Sequence, residues 1–250
     1  MSENQKKIWI TGASSGIGKA VAKKFAREGW KVAVSARRKE LLDEMAKNDN
    51  IFSFPLDVTN FDNCKSTFNK IRDQLGDIDI CFLCSGTYDP KKEQELNLEE
   101  NKFVMNVNYF GTLNCVKAVE KYFKEKKAGH ISIVSSIAGY RGLPNSSGYG
   151  PSKAALTNFA ESIYFDFKKY GVRVSVTSPG FIKTPLTDKN EFPMPFLRSP
   201  EFAADKVYNG LVKSRGFEIH FPKQLTMTLK FLRILPYRIY LFLVDKLVKR

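Results

Sequence analysis

A tyrosine and a lysine four positions apart are the side chains here whose types and spacing could carry acid–base chemistry. Tyr149 and Lys153 occupy positions i and i+4 of a predicted helix, so their side chains share one face. A phenol with an unperturbed pKa of about 10 is a poor base at neutral pH, but a nearby ammonium favours the phenolate. Ser136 precedes Tyr149 by thirteen residues, and its hydroxyl could orient a substrate oxygen. These residues predict proton exchange with a carbonyl or alcohol oxygen.

A glycine-rich turn near the N-terminus is typical of a nucleotide site. Gly12 and Gly16 permit a tight turn and a close backbone approach, and Gly18 permits close packing of a helix on a strand. The start of the helix offers free N–H groups to a pyrophosphate. The alternative is a glycine-rich turn without a ligand. The whole segment reads Thr11-Gly12-Ala13-Ser14-Ser15-Gly16-Ile17-Gly18.

The end of the second predicted strand indicates which nucleotide would bind. The sequence there is Ser35-Ala36-Arg37-Arg38, whereas an NAD site usually places a carboxylate on the ribose hydroxyls. Arg37 could pair with a 2′-phosphate, with charge from Arg38 and a hydroxyl from Ser14, which favours NADP(H) over NAD(H). The alternative is two solvated arginines at a helix start. After the third strand, Asp57-Val58 could accept from the adenine amino group, unless the aspartate caps its own turn.

These motifs and two others resemble the short-chain dehydrogenase/reductase family in its single-domain form. The segments that carry the resemblance are, in chain order, Thr11-Gly-x-x-x-Gly-x-Gly18, Asn108-x-x-Gly111, Ser136, Tyr149-x-x-x-Lys153 and Pro179-Gly180-x-x-x-Thr184. They fall in the expected strand and helix contexts, and the resemblance covers about residues 6 to 221. It implies hydride transfer to or from a nicotinamide cofactor without a metal.

The resemblance also implies roles for individual residues. Tyr149 would give or take the proton, and Ser136 would orient the substrate oxygen. Lys153 would hold the nicotinamide ribose and lower the tyrosine pKa, and Asn108 would position a water in a proton relay. These four residues form the expected catalytic tetrad.

Two loops should supply further cofactor contacts by the same resemblance. After the Pro179-Gly180 turn, Thr184 and the backbone of Ile182 would contact the nicotinamide amide. Gly86 ends the segment Leu83-Cys84-Ser85-Gly86, where the family commonly has Asn-Asn-Ala-Gly beside the adenine ribose. Because much of that contact is made by backbone, we expect altered packing under the cofactor but retained binding.

Histidine and cysteine positions argue against a metal or redox site. The two histidines, His130 and His220, lie far apart and belong to predicted strands. Cys81 and Cys84 have the C-x-x-C spacing, but residues i and i+3 of a strand point to opposite faces. Core packing is therefore predicted for both cysteines, and no metal ligand set is expected.

The motifs fall on the connections of a βαβ series. Short aliphatic runs alternate with longer amphipathic stretches, which predicts an α/β, Rossmann-like, doubly wound sheet of seven parallel strands with helices on both faces. The predicted strands are Lys7–Thr11, Lys31–Ala36, Ile51–Leu56, Ile78–Leu83, His130–Ser135, Val172–Thr177 and Phe217–Phe221. The predicted helices are Gly16–Glu28, Arg38–Lys47, Phe61–Leu75, Leu98–Glu125, Tyr149–Lys169 and Pro200–Ser214.

Length and composition indicate one compact domain. The 250 residues are 43% hydrophobic, which excludes intrinsic disorder. Four scattered cysteines do not resemble a secreted disulfide framework, and the polar N-terminus lacks the apolar core of a signal peptide, so a cytoplasmic protein is expected. The net charge of +14 suits an anionic partner: nucleotide phosphates, anionic lipid, an acidic carrier protein or nucleic acid.

The segment from Thr184 to Pro200 has the composition of a substrate lid. Its prolines prevent a long helix, and it supplies apolar area. A mobile lid would favour a hydrophobic substrate, whereas the alternative is a loop packed on its own core. The apolar residues are Leu186, Phe192, Met194, Phe196 and Leu197.

A basic tail follows the last predicted strand, so we divide the chain into a catalytic domain, residues 1–222, and an amphipathic helical extension, residues 223–250. From Phe221 to Arg250 there are seven basic residues and one acidic residue. The tail suits peripheral contact with the anionic inner face of a membrane, a subunit interface, or a flap over the substrate cleft. The apolar faces of its two predicted helices carry Leu225, Leu229, Leu232 and Leu235, then Tyr240, Leu243, Val244 and Leu247.

The favoured function is an NADP(H)-dependent oxidoreductase that acts on a hydrophobic, lipid-like carbonyl or secondary alcohol. A 3-oxoacyl reductase, with an acidic carrier docked on the basic surface, is the alternative among enzymes. A non-catalytic NADP(H) sensor or a nucleic-acid binder is the alternative of another class, and the complete tetrad argues against it. Nucleic acid is therefore not an expected partner, and the resemblance implies a homo-oligomer, either a dimer or a tetramer.

Overall fold

Seven parallel strands form one sheet in this computed structural model, which describes residues 5–247. Their order is β3-β2-β1-β4-β5-β6-β7. The strands are β1 Lys7–Thr11, β2 Lys31–Ser35, β3 Ile51–Ser53, β4 Ile80–Leu83, β5 His130–Val134, β6 Arg173–Pro179 and β7 Glu218–Phe221. The helices are α1 Gly16–Arg27, α2 Lys39–Met45, α3 Phe61–Leu75, α4 Leu98–Met105, α5 Gly111–Lys126, α6 Tyr149–Lys168, α7 Pro200–Tyr208, α8 Lys223–Ile234 and α9 Tyr237–Leu247. The predicted Rossmann-like sheet is confirmed.

Both faces of the sheet are covered, because successive side chains of a strand point to opposite sides. In β1, Trp9 packs with residues of α3, α5 and α6, whereas Ile8 and Ile10 pack with residues of α1, α2 and α7. All three side chains are fully buried. Helices on both faces explain why the central strands read as continuous apolar runs.

The long helix predicted from Leu98 to Glu125 is wrong as a single regular element. A π-helical turn at Asn106–Phe110 separates α4 from α5, and the N–H of Gly111 bonds the carbonyl oxygen of Asn106. Such an insertion rotates the side chains that follow it, and π turns are frequent at functional sites. A second π-helical turn, Asn209–Lys213, ends α7 short of the predicted Ser214.

Two strand ends differ from the sequence predictions. β3 stops at Ser53, although the N–H groups of Phe54 and Leu56 still donate to the carbonyl oxygens of Val34 and Ala36. β6 runs on to Pro179, which pairs with Phe221 of β7. The extension carries the chain to the edge where the predicted nicotinamide loop begins.

After the adjacent central strands β1 and β4 the chain turns in opposite directions, which opens a crevice. β1 pairs with both β2 and β4, so the chain moves one way after Thr11 and the other way after Leu83. Ligands of doubly wound sheets bind at such a switch point, beyond the carboxyl ends of the strands. The glycine-rich turn and the segment Leu83–Gly86 therefore meet at this crevice.

The tail forms the two predicted helices, α8 and α9, against the edge of the domain. Leu225, Tyr240 and Val244 are buried, as expected for the apolar faces. The side chain of Leu247 and residues 248–250 lie outside the described residues. Within 5–247, the helices are all too short or too polar to cross a membrane.

Candidate active site

Tyr149 and Lys153 lie together at the start of α6. Tyr149 is the first residue of this helix, and the Lys153 ammonium is 5.6 Å from the centre of its ring. The Lys153 side chain is 3% exposed, and its Nζ donates to the carbonyl oxygen of Val134 at 2.9 Å. The i and i+4 spacing thus places both groups on one face, aimed at the end of β5.

Burial sets the proton affinities of this pair. It lowers the pKa of Lys153 to about 8, because the charged ammonium is costly to desolvate. Burial also raises the pKa of Tyr149 to about 12, against which a hydrogen bond with Ser136 acts. The effect expected of Lys153 on the tyrosine pKa stays a prediction. With its raised pKa, the Tyr149 phenol keeps its proton at neutral pH.

The two neighbouring serines after β5 have separate roles. Ser135 donates to the carbonyl oxygen of Lys153 at 2.7 Å and lies 2.8 Å from the Thr157 hydroxyl, so it ties β5 to α6. Ser136 begins a 3₁₀ turn, Ile137–Gly139, and accepts from the N–H of Ala138 at 3.2 Å. The Ser136 hydroxyl also lies within hydrogen-bonding reach of the Tyr149 phenol.

Asn108 lies in the π-helical turn and is completely buried. Its Oδ1 accepts from the N–H of Thr87 at 2.7 Å, and its Nδ2 donates to the Thr87 carbonyl oxygen and to the Ser152 hydroxyl. A Cβ at Gly86 would lie 3.4 Å from Asn108 Oδ1 and 3.5 Å from Lys153 Nζ. The amide thus fastens the segment after β4 to α6, and the glycine keeps space open between amide and ammonium.

Glu93 and Tyr88 are site residues that sequence reasoning missed. The Glu93 carboxylate is 2% exposed and accepts from the backbone N–H groups of Gly148 and Tyr149, at 2.9 and 3.1 Å. Burial raises the pKa of this carboxyl, while those two N–H groups oppose the rise. The Tyr88 ring packs on the Tyr149 ring with centres 4.7 Å apart. The segment between β4 and α4 therefore positions Tyr149 by its backbone and by its ring.

At Gly12 and Gly18, the backbone of the turn lies so close to other backbone atoms that a side chain would collide with them. A Cβ at Gly12 would lie 2.7 Å from the Cys84 carbonyl oxygen, and one at Gly18 would lie 2.5 Å from the Gly12 carbonyl oxygen. Gly12 and Gly16 have φ of 66° and 53°, in the left-handed region. The Thr11 hydroxyl accepts from the N–H groups of Cys84 and Ser85, which joins the turn to the end of β4. This cradle at the start of α1 fits a dinucleotide pyrophosphate.

Arg38, rather than Arg37, reaches the glycine-rich turn. Its Nη2 donates to the Ser14 hydroxyl at 2.9 Å and to the Ser15 hydroxyl at 3.2 Å. Arg37 is exposed, and its charge contributes to a lowered pKa of Asp57. The pairing of Arg37 with a 2′-phosphate stays a prediction, and the path of the chain after β2 brings Arg38 to the two serine hydroxyls.

Asp57 caps its own turn, which was the alternative to its binding the adenine amino group. Its Oδ1 accepts from the N–H and the hydroxyl of Thr59, at 3.0 and 2.8 Å. Val58 is buried against Gly111, where a Cβ would lie 2.6 Å from Val58 Cγ2. Asp57-Val58 thus forms a rigid turn at the carboxyl end of the sheet.

The loop after β6 folds back onto the glycine-rich turn. The Thr184 Cγ2 would lie 3.1 Å from a Cβ placed on Gly16. Ile182 is buried and bridges to Arg198, and the N–H of Gly180 bonds the carbonyl oxygen of Phe221. The structure therefore brings Thr184, a predicted nicotinamide contact, next to Gly16 of the predicted pyrophosphate site.

The predicted lid contains one 3₁₀ turn, Thr187–Lys189, and contacts the segment that carries Glu93. Lys189 pairs with Asp89 at 3.5 Å, and Glu191 pairs with Lys91 at 2.9 Å. These are exposed pairs of the kind that contributes little to stability. The two ion pairs join the predicted lid to the segment between β4 and α4, which also carries Tyr88 and Glu93.

The predicted packing of Cys81 and Cys84 on opposite faces is confirmed. Cys81 is buried with α3, α5 and α6, whereas Cys84 packs with the residues of the other face. His130 lies in β5 and His220 in β7, as expected. Over residues 5–247, no cluster of three or more His, Cys, Asp or Glu side chains is placed to hold a metal.

Comparisons with known proteins agree with this architecture. Residues 6–193 match the family described as short chain dehydrogenase. An "Uncharacterized oxidoreductase" of Myxococcus xanthus is 34% identical over 232 residues, with 91% of each chain covered. The 3-dehydrosphinganine reductase of Danio rerio is 32% identical over 188 residues, which cover 71% of this chain and 57% of that protein.

Solved structures share the fold as well. The structure described as "ElxO with NADP Bound" has a TM-score of 0.76 and 26% identity, and the match covers 87% of this chain and 98% of that one. Structures described with NADP and with NAD both match the fold, and nicotinamide cofactors are therefore common to these proteins. From the sequence match and from this arrangement of Ser136, Tyr149 and Lys153, we conclude that the chain belongs to the short-chain dehydrogenase family and is an oxidoreductase of that type.

Proposed function

We propose that the protein is an NADP(H)-dependent oxidoreductase that interconverts a carbonyl and a secondary alcohol. The observation that carries the proposal is the placement of Ser136 and Lys153 around the Tyr149 phenol at the end of β5. A bound nicotinamide supplies or accepts the hydride. The residues of the chain then have to hold the oxygen and move one proton.

Each of these residues has a defined task in the reductive direction. The Tyr149 hydroxyl gives its proton to the carbonyl oxygen, and its raised pKa keeps that proton available at neutral pH. The Ser136 hydroxyl donates to the same oxygen and fixes its position. The Lys153 ammonium stabilises the phenolate that remains until solvent returns a proton. Asn108 retains its proposed place in that relay.

NADP(H) is proposed over NAD(H) because of charge at the glycine-rich turn. Arg38 and the Ser14 and Ser15 hydroxyls form one donor group where the second strand ends. A 2′-phosphate is the anion that suits a guanidinium beside two hydroxyls. The turn after β2, Ser35-Ala36-Arg37-Arg38, offers no carboxylate to the ribose.

A hydrophobic substrate is proposed because the lid carries exposed aromatic side chains. Phe192 and Phe196 are 39% and 49% exposed. The Phe192 ring centre lies 6.0 Å from that of Phe181, which precedes Thr184 by three residues. The relative from Danio rerio is named for the reduction of a sphingoid ketone, which is an amphiphilic lipid. These features support a long-chain ketone or alcohol.

Cellular context is part of the same proposal. We place the enzyme in the cytoplasm, peripherally at the inner face of a membrane, because its substrate is lipid-like and its tail is basic. We also propose a homo-oligomer. A 3-oxoacyl reductase with an acidic carrier is the second candidate, favoured by the net charge of +14.

NADPH oxidation with a series of ketones of increasing chain length tests the function, with Tyr149→Phe as the decisive variant. We expect turnover to rise with chain length and Tyr149→Phe to lose at least ~100-fold in kcat, because it removes the proton donor. NADPH affinity, measured by fluorescence, should be unchanged in this variant. Unimpaired activity of Tyr149→Phe would reject the proposal, and activity on carrier-linked substrates alone would favour the second candidate.

A further inference from the structure

The apolar faces predicted for the tail are occupied by contacts within the chain. Leu225 and Leu229 of α8 pack with Ile137 and Tyr140, and Tyr240 and Val244 of α9 are buried. Lys230 forms an ion pair with Glu218, which also accepts from the Tyr140 hydroxyl. The leucine face of α8, which was one candidate for membrane contact, therefore packs against the rest of the chain.

Arg141 fastens this tail to the loop between Ser136 and Tyr149. Its guanidinium donates to the carbonyl oxygens of Leu232, Arg233 and Leu235, at 3.1, 3.1 and 2.7 Å, where α8 ends. It also lies over the rings of Tyr237 and Tyr240, at 4.5 and 4.0 Å from their centres. These contacts satisfy the free carbonyls of a helix end and hold both tail helices in place.

A second apolar surface covers the outside of the tail. Met227, Phe231 and Ile234 follow one another at positions i, i+4 and i+7 of α8 and are 56–76% exposed. In α9, Leu241 and Phe242 are 60–61% exposed, and Tyr237 precedes them at 76%. Isolated exposed apolar residues need no explanation, but these six and Ile239, which is 48% exposed, all fall within sixteen residues. We call the seven residues the outer face.

Exposed basic residues lie in the same two helices as the outer face. Arg233, Arg238 and Lys246 are exposed in the same two helices, and Asp245 is the acidic residue among them. The segment from Phe221 onward has seven basic residues against one acidic residue. Exposed apolar side chains with basic neighbours are the features by which a helix binds at a lipid headgroup layer.

We propose that the outer face docks on an anionic lipid bilayer surface. Two copies of the chain paired symmetrically through this face would bring two basic tails together, because a twofold interface places the same patch on both sides. An anionic bilayer instead attracts each basic group and receives the apolar side chains below its headgroups. This inference rests on the proposed function only in that a membrane would deliver the lipid-like substrate. Tyr237 of the outer face contacts Arg141, which lies in the loop between Ser136 and Tyr149.

Flotation of the full chain with vesicles tests the docking surface. Vesicles of phosphatidylcholine alone are compared with vesicles that contain phosphatidylglycerol, at low and at high salt. We expect the wild type to float with the anionic vesicles, with binding reduced severalfold by salt because exposed charges are screened. The double variant Phe231→Ser/Ile234→Ser should bind the anionic vesicles at least ~10-fold more weakly, since apolar area is lost.

Controls separate this inference from the proposed function. The matched variant Leu96→Ser/Leu98→Ser changes two exposed leucines outside the tail and should bind vesicles as the wild type does. Every variant should oxidise NADPH with a water-soluble ketone in the absence of vesicles, which tests the proposed function alone. Failure of the wild type to float while it retains turnover would overturn the docking surface. A dimer in sedimentation that Phe231→Ser/Ile234→Ser dissolves would also overturn it, because a second copy would then occupy the outer face.

Discussion

The buried ammonium of Lys153 should be visible in the pH dependence of stability. Its pKa is about 8 in the fold and about 10.4 for a free lysine, so the folded state resists this charge. The resulting destabilisation is complete below pH 8 and disappears as the pH rises towards 10. Relative to Lys153→Met, which has no such group, the wild type should gain free energy of unfolding between pH 7 and 9.5. Urea unfolding of both proteins without cofactor measures this, and parallel pH curves would contradict it.

The contacts of Arg38 predict unequal effects for the two neighbouring arginines. Arg38→Ala should raise the KM for NADPH by roughly 10-fold or more, because a charged hydrogen bond contributes about 1.5–3 kcal/mol. The KM for NADH should change little, since NADH lacks the 2′-phosphate. Arg37→Ala is the matched control and should have the smaller effect, because Arg38 is the arginine that contacts Ser14 and Ser15. A larger effect of Arg37→Ala would instead support the sequence-based prediction that Arg37 pairs with the 2′-phosphate.

At the scale of elements, Glu93 determines how α6 begins. Its carboxylate accepts from the first N–H groups of the helix that carries Tyr149, where the helix dipole favours a negative charge. Glu93→Gln keeps the size but loses the charge and part of the acceptor capacity, so we expect roughly 2 kcal/mol of lost stability. The kcat should fall by roughly 10-fold, because the phenol is less well placed.

A pH profile distinguishes this positioning role from a merely structural one. The Glu93 charge contributes to the raised pKa of Tyr149, together with burial and Cys84, so Glu93→Gln should move the acid limb of alcohol oxidation to lower pH. Tyr88, Asp89 and Glu100 are the other titratable groups near the carboxylate. The control is Glu100→Gln, because Glu100 is also buried but pairs with Lys92 on the surface. Equal losses of kcat in both variants would indicate a general loss of structure.

At the scale of the molecule, the exposed aromatic residues of α4, α6 and the π-helical turn indicate where two copies would meet. Phe103, Phe110 and Phe165 are 44–67% exposed on elements that contact one another. Their burial between subunits would be favourable, at about 25 cal/mol per Å² of apolar surface. We expect a homo-oligomer in sedimentation equilibrium and a monomer for Phe110→Glu/Phe165→Glu. An unchanged association state in this variant would place the interface elsewhere.

Prediction from sequence succeeded where a single element sets the geometry. The i and i+4 spacing of Tyr149 and Lys153 needs only one helix, and the opposite faces of Cys81 and Cys84 need only the pleat of one strand and its end. It failed for the π-helical turn at Asn108, because apolar periodicity was used to predict one regular helix and a single inserted residue inside it was not recognised. Glu93 had no local signal at all, since its partners are 55 and 56 positions away.

The amino-acid sequence by itself determined the order of strands and helices, the family and the residue types of the site. These follow from apolar periodicity, from glycines that adopt left-handed conformations and from motif order. Only the tertiary structure decided which arginine contacts Ser14 and which carboxylate accepts from the N–H groups at the start of α6. It also decided which face of α8 stays exposed. The physical reason is that these contacts join segments that come together when the sheet is assembled, so the packing of the whole chain selects among locally equivalent side chains.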